Sequence, residues 1–234
     1  MLRITQFKLP VEHTEQQLRE RLAKTLRIAP DDLISYSIRK RSLDARKKPE
    51  LFYVYTIDFH TKKENMVLRH MKNKVQKISE KTYRIPEHGT EPLPDRPLVV
   101  GSGPAGLFCA YLLALSGMCP LVLERGASVR ERQRDVEEFW ETGILNTKSN
   151  VQFGEGGAGT FSDGKLNTLV KDPVGRNRFV LETFVSFGAP EEILYEQKPH
   201  IGTDILTTVV ENMRNRIIEL GGEFCFYTQL TDIF

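Results

Sequence analysis

The sequence predicts an α/β chain built from two modules, and three observations lead to this prediction. Charge is divided unevenly, because residues 1–90 carry 20 Lys and Arg against 11 Asp and Glu, whereas the remainder carries 13 against 20. The stretch EHGTEPLPDRP contains three prolines and a glycine, which is typical of a linker and places one at residues 87–96. On both sides of this linker, short apolar runs typical of strands alternate with segments whose apolar residues have helical spacing.

The first module, residues 1–86, reads strand, helix, strand, strand, helix, strand. Thr14 and Gln17 have capping-box spacing at the start of its first helix. Residues 33–38 and 51–59 look like a strand pair joined by the charged stretch RKRSLDARKK. A helix over residues 64–74 and a strand over residues 75–85 complete a βαββαβ order, which predicts a ferredoxin-like domain.

The second module, residues 97–234, begins with the strand PLVV, the turn GSGPAG and a helix, followed by the strand LVLE. This order predicts a Rossmann-type FAD- or NAD(P)-binding domain. A capping box at Ser128 and an N-cap at Thr203 are expected to begin two of its later helices. The predicted later elements are helices over residues 129–142, 173–187 and 204–220 and a strand over residues 223–230.

A dinucleotide motif lies between the first strand and helix of this module. Gly101, Gly103 and Gly106 form G-x-G-x-x-G, and Glu124 follows 18 positions later at the end of the next strand. These glycines allow a tight turn and close approach to a pyrophosphate, while the carboxylate can accept hydrogen bonds from a ribose. Because Glu124 would repel a 2′-phosphate, FAD or NAD is favoured over NADP. The predicted cofactor-binding residues here are Gly101, Ser102, Gly103, Pro104, Ala105, Gly106, Glu124 and Arg125.

Two blocks further along, NVQFGEGGAGTFSDGKL and KPHIGTDIL, carry a more specific resemblance. Together with LVVGSGPAGLFCAYLLALSG and LVLERG, they resemble a bacterial family of FAD-dependent dehydrogenases in the superfamily of flavoproteins with two dinucleotide-binding domains. The resemblance implies FAD as cofactor, with NAD(P)H as candidate electron donor. It also implies that Gly101, Gly103, Gly106 and Glu124 hold the ADP half and that residues 154–165 border the flavin.

Folds of this family usually include a late strand and a glycine–aspartate turn that return to the ribityl chain. No such segment precedes Phe234. We therefore expect the chain to be a truncated member of the family, with an incomplete second domain.

The segment GTFSDGKL approaches a nucleotide-triphosphate P-loop, but Leu166 stands where a hydroxyl would ligate magnesium. The alternatives are a flexible connector and a loop beside the flavin. The flavin loop is favoured because Gly156, Gly157 and Gly159 would let backbone N–H groups approach a flat ring.

Two residues are candidates for catalysis. Lys165 could stabilise negative charge on a reduced flavin, and His200 could act as acid or base on a small-molecule substrate. A solvated surface lysine and a loop histidine are the alternative interpretations. No metal site is indicated, and no cysteine pair suits a disulfide-reductase mechanism.

Two other functions stay open. The basic first module, with RKRSLDARKK and the alternating aromatics Tyr53, Tyr55 and Phe59, could bind nucleic acid. The second possibility is a non-catalytic fragment that keeps the fold without the flavin.

A cytoplasmic location is expected because there is no signal peptide and the three cysteines show no disulfide pattern. Residues 97–123 contain no charged side chain, but glycines and prolines divide them into short elements. No membrane association is therefore expected.

Overall fold

The computed structural model describes residues 1–80, 82–162, 164–166, 168 and 170–233. The chain forms two compact units. The first contains Met1–Tyr83, Leu169–Phe179 and Glu191–Pro199, and the second contains Arg84–Thr168, Val180–Pro190 and His200–Phe234. The predicted α/β class is confirmed, with one antiparallel and one parallel sheet.

The first unit contains a four-stranded sheet of order β2-β3-β1-β4, in which every strand pair is antiparallel. Its core consists of alternate apolar residues of the strands packed against the leucines of α1. The elements are β1 (Leu2–Pro10), α1 (Glu15–Leu26), β2 (Leu33–Lys47), β3 (Glu50–Thr61), α2 (Glu64–His70) and β4 (Val75–Lys77).

The charged stretch RKRSLDARKK does not form the predicted connecting loop. Strand β2 continues through it to Lys47, and the turn to β3 is made at Lys48 and Pro49. The charges fit because β2 is an edge strand whose polar side chains find partners. One is Arg39, which pairs with the buried Asp58 of β3 at 2.7 Å.

The predicted capping box at the start of α1 is present. The Gln17 N–H donates to Thr14 Oγ1 at 3.2 Å, and the Thr14 N–H donates to Gln17 Oε1 at 2.9 Å. Thr14→Ala is therefore expected to lower the free energy of unfolding by about 1 kcal/mol in urea denaturation. Thr14→Ser keeps the hydroxyl and should match the wild type; an equal loss in both variants would contradict a capping role.

The second unit contains a three-stranded parallel sheet of order β5-β6-β7. Val99 and Val122 of the sheet pack with Ala110 and Ala114 of α3 and Ile217 of α6. The elements in chain order are β5 (Leu98–Val100), α3 (Pro104–Leu115), β6 (Leu121–Leu123), α4 (Val129–Thr142), α5 (Arg176–Ser186, whose first residues belong to the first unit), α6 (Thr203–Glu219) and β7 (Glu223–Cys225).

The capping residues predicted for two helices are wrong. The Ser128 side chain makes no cap bond; instead the Val129 N–H donates to the Glu155 carboxylate at 2.7 Å. The N-cap of α6 is Gly202, and Thr203 is already helical. Strand β7 is also shorter than predicted, because the chain turns after Cys225.

Across the described residues, every helix is too short or too polar to span a bilayer. No group of metal-ligating side chains occurs among those residues.

Candidate functional site

A cleft of about 370 Å³ lies at the carboxyl ends of the parallel strands in the second unit. This is the edge of an open α/β sheet at which ligands bind. The residues that line it are Val100, Gly101, Gly103, Leu123, Glu124, Arg125, Gln152, Phe153, Gly154, Gly157, Thr228, Gln229 and Leu230.

The glycine turn before α3 is packed too tightly for side chains. Gly101 has φ +89°, and its N–H donates to the Leu123 carbonyl of β6 at 2.7 Å. A Cβ on Gly106 would overlap the Gly101 carbonyl oxygen and lie 2.9 Å from its carbonyl carbon. The third glycine of the motif therefore brings the first turn of α3 against the end of β5.

The Glu124 side chain holds this turn in place. Its Oε2 accepts hydrogen bonds from the Ser102 N–H at 2.8 Å and the Ser102 hydroxyl at 2.7 Å. Its Oε1 accepts one from the Gly126 N–H at 2.9 Å. A carboxylate oxygen can accept more than one hydrogen bond, so Oε1 retains capacity for a hydroxyl donor in the cleft.

The N-terminus of α3 faces the same region. Gly103 is its N-cap residue, no described side chain caps it, and Pro104 occupies the first turn. The free N–H groups and the positive end of the helix dipole suit an anionic ligand.

The second glycine block packs directly onto the first. The Gly156 N–H donates to the Ser102 carbonyl at 2.9 Å. Gly157 has φ +68°, and a Cβ there would lie 3.2 Å from Pro104 Cδ. Residues 150–157, which we call the wall segment, thus form one side of the cleft.

Arg132 of α4 fixes the wall segment through its backbone. The side chain is fully buried, although its helix is otherwise rich in exposed charges. Burial lowers the pKa of Arg132 to about 10, which still leaves the guanidinium charged at neutral pH. It donates hydrogen bonds to the carbonyls of Asn150 (2.8 Å), Val151 (2.9 Å), Gly154 (3.4 Å), Glu155 (2.9 Å) and Gly157 (2.7 Å).

Glu155, within the wall segment, is also fully buried. Its Oε2 accepts from the Val129 N–H and from Arg214 of α6, the latter at 2.6 Å. Its Oε1 is buried without a hydrogen-bond partner among the described residues. Desolvation raises the pKa of Glu155 to about 7, and the nearby Arg214 opposes that rise.

The two predicted catalytic residues lie beside each other but do not line the cleft. Lys165 and His200 form an antiparallel backbone bridge, and the Ile201 N–H donates to the Gly164 carbonyl at 3.0 Å. Both side chains are exposed. The two blocks that carry the family resemblance therefore meet in the structure, and Lys165 stands in a strand-like bridge rather than at the start of a P-loop helix.

Among the predicted cofactor-binding residues, Gly101, Gly103, Glu124, Arg125 and Gly157 line the cleft. Ser102 is buried behind it and bonded to Glu124, and Gly106 supports the turn. The remaining four do not line the cleft. Pro104 and Ala105 are exposed at the start of α3, Gly159 is exposed in the second glycine block, and Gly156 is buried against Thr160.

Sequence reasoning missed Phe153, over whose ring the Arg125 guanidinium lies at 3.9 Å, and the segment 228–230 after β7. The segment was missed because the sequence predicts that the last strand continues through residues 226–230. The carboxyl ends of parallel strands lie at the same edge of a sheet. A prediction that ended β7 at Cys225 would therefore have placed residues 228–230 at the site. Nothing in the sequence marks Arg132 or Glu155 as part of the site, because each reads as an ordinary charged residue.

The basic hairpin gives no support to stacking on nucleic-acid bases. Tyr55 and Phe59 are buried in the core of the first unit. Arg41 is paired with Glu196, and its guanidinium lies 4.9 Å from the centre of the Tyr53 ring. These groups are engaged within the protein itself.

Comparisons with known proteins agree with this geometry. Residues 99–140 match a NAD(P)-binding Rossmann-like domain, and residues 1–60 match a domain of unknown function, DUF8436. A protein of Clostridium beijerinckii, described as uncharacterized, is 44% identical over 233 residues, or 99% of this chain. The chain spans 43% of the length of that relative. The matched strand–turn–helix supports a dinucleotide-binding fold of the kind found in oxidoreductases.

Proposed function

We propose that this chain is the FAD-binding part of a flavin-dependent oxidoreductase, a dehydrogenase that transfers hydride through the flavin. The observation that carries the proposal is the position of Glu124, which lines the cleft and whose carboxylate accepts a hydrogen bond from Ser102 of the glycine turn before α3. An acidic group here suits the ribose of an adenosine without a 2′-phosphate.

The cleft fits the ADP half of such a cofactor on three counts. The helix α3 N-terminus offers N–H groups to a pyrophosphate, and Gly101 and Gly103 leave the loop backbone uncovered. Arg125 and Phe153 line the cleft next to Glu124. A bound flavin would supply the hydride chemistry, while the residues of this chain bind and orient it.

Other roles follow from the same proposal. Lys165 and His200 are proposed to contribute to chemistry near the flavin, with NAD(P)H as electron donor. The first unit is proposed to be a ferredoxin-like domain, which its strand order β2-β3-β1-β4 supports.

The direct test is to purify the protein and record its visible absorption spectrum before and after denaturation. Flavin bands, or their appearance after reconstitution with FAD, would support the proposal. A colourless protein that binds NAD⁺ but cannot be reconstituted with FAD would leave a dinucleotide-binding protein and overturn the flavin assignment.

Glu124 also predicts a choice between nucleotides. In wild-type protein freed of flavin, we expect NADP⁺ to bind this cleft at least about tenfold more weakly than NAD⁺, because the buried carboxylate repels a 2′-phosphate. Glu124→Gln should reduce this discrimination, and Glu138→Gln on the exposed face of α4 should leave it unchanged. Titration calorimetry measures both ratios. Equal discrimination between NAD⁺ and NADP⁺ in the wild type and in Glu124→Gln would show that Glu124 does not recognise the ribose.

A further inference from the structure

The wall segment is held against the dinucleotide cleft by two different kinds of contact. Arg132 binds its carbonyl groups, and these bonds persist over the physiological pH range because the guanidinium stays charged. Glu155 instead links it to α4 and α6 through one carboxylate oxygen. Only the second of these attachments carries a group that can change protonation near neutral pH.

The surroundings of Glu155 make its negative charge poorly compensated. Arg214 is its one ion-pair partner among the described residues, and Arg214 also pairs with Glu211 at 3.5 Å. Glu211 in turn pairs with Arg130 at 2.9 Å. The buried guanidinium of Arg132 also attracts the Glu155 charge, but its N–H groups donate to backbone carbonyls and not to the carboxylate. Glu155 Oε1 has no hydrogen-bond partner within the described part of the chain.

We infer that Glu155 is a positioning residue whose ionisation controls how often the wall segment opens away from the dinucleotide cleft. In the closed state, the Gly156 N–H donates to the Ser102 carbonyl of the glycine turn, and Gly157 lies close enough to Pro104 of α3 that a Cβ would be 3.2 Å from its Cδ. Open, Glu155 would reach water and the cleft would lose one side. The role in cofactor release rests on the proposed function; the opening itself does not.

The direction of the pH effect follows from linkage. The pKa of Glu155 is about 7 in the closed state, above the ordinary value of 4.5 that a solvated carboxyl would regain on opening. Opening therefore releases a proton and becomes more favourable as pH rises between these values, levelling off above 7. From pH 5.5 to 7.5 the opening equilibrium should increase roughly twentyfold.

Hydrogen–deuterium exchange of peptides covering residues 149–161 tests this without a ligand. After division by intrinsic exchange rates, wild-type protection should fall at least about tenfold from pH 5.5 to 7.5. In Glu155→Gln it should be independent of pH, and Glu138→Gln should behave as wild type. Glu211→Gln, which removes a neighbouring negative charge at a half-buried position, should lower the pKa of Glu155 and reduce the change in protection.

The rate of FAD release, measured by stopped-flow fluorescence at the same pH values, tests the link to the cleft. If the wall segment gates release, the rate should rise with pH in the wild type by the factor seen in exchange and stay flat in Glu155→Gln. Protection that is independent of pH in the wild type would overturn the inference, whatever FAD does. A pH-dependent opening in a protein that binds no FAD would support Glu155 as the control of opening and contradict the proposed cofactor instead.

Discussion

Arg132→Ala is expected to lower the free energy of unfolding of the second unit by about 3–5 kcal/mol or to prevent its folding. The side chain is fully buried and satisfies five backbone carbonyls of the wall segment. Removing it leaves the carbonyls of Asn150, Val151 and Glu155 without their side-chain donor, whereas those of Gly154 and Gly157 still accept from backbone N–H groups. It also opens a cavity beside Phe161, whose ring lies 4.7 Å from the guanidinium. Urea denaturation followed by circular dichroism measures the loss.

Arg134→Ala is the matched control, because Arg134 lies on the same helix with an exposed side chain. It should change the free energy of unfolding by less than about 0.5 kcal/mol. Arg132→Lys should recover little, since one ammonium group cannot reproduce the planar fork of donors. Equal stability of the Arg132→Ala variant and the wild type would show that the wall segment is held by other contacts.

Gly106→Ala is expected to destabilise the second unit by about 1–3 kcal/mol and to abolish dinucleotide binding. The added methyl would meet the carbonyl group of Gly101, which is backbone and cannot rotate aside. Relief requires α3 to move away from β5, and this displaces the N–H groups that we propose to bind a pyrophosphate. Thermal unfolding and titration with FAD and NAD⁺ measure the two effects.

Gly89→Ala provides the control, because a Cβ at Gly89 would meet nothing within 4 Å. Its melting temperature and dinucleotide affinity should equal those of the wild type. If Gly106→Ala behaved in the same way, the close approach of α3 to the glycine turn would not be required for binding.

The parts of the site that the sequence predicted are those that depend on local geometry. Gly101, Gly106 and Glu124 have a fixed spacing because a strand, a turn and a helix place them, and that order can be recognised along the chain. Helix α4 has the predicted bounds of Val129 and Thr142 for the same reason, since its periodicity and its terminal Gly143 are local signals.

The parts that sequence reasoning missed depend on contacts between distant segments. Arg132 looks like one more charge in VRERQRDVEEFWET, and its burial appears only when a loop about 20 residues later wraps around it. The sequence predicts Ser128 as the cap of α4 because Glu155, which takes that role, lies 26 residues beyond Val129, the first residue of the helix. The length of β2 was likewise hidden, because charged residues that disfavour a strand in isolation find partners across the sheet.

The hydrogen bonds of Glu124 have a consequence for attempts to re-engineer nucleotide preference. The carboxylate that we propose to contact the ribose also accepts hydrogen bonds from the backbone N–H groups of Ser102 and Gly126. Under the proposed function, nucleotide selectivity and the rigidity of the glycine turn therefore depend on the same residue, and a substitution chosen to admit a phosphorylated ribose would also weaken that turn. A successful change of preference should need a second substitution that restores an acceptor for those two N–H groups.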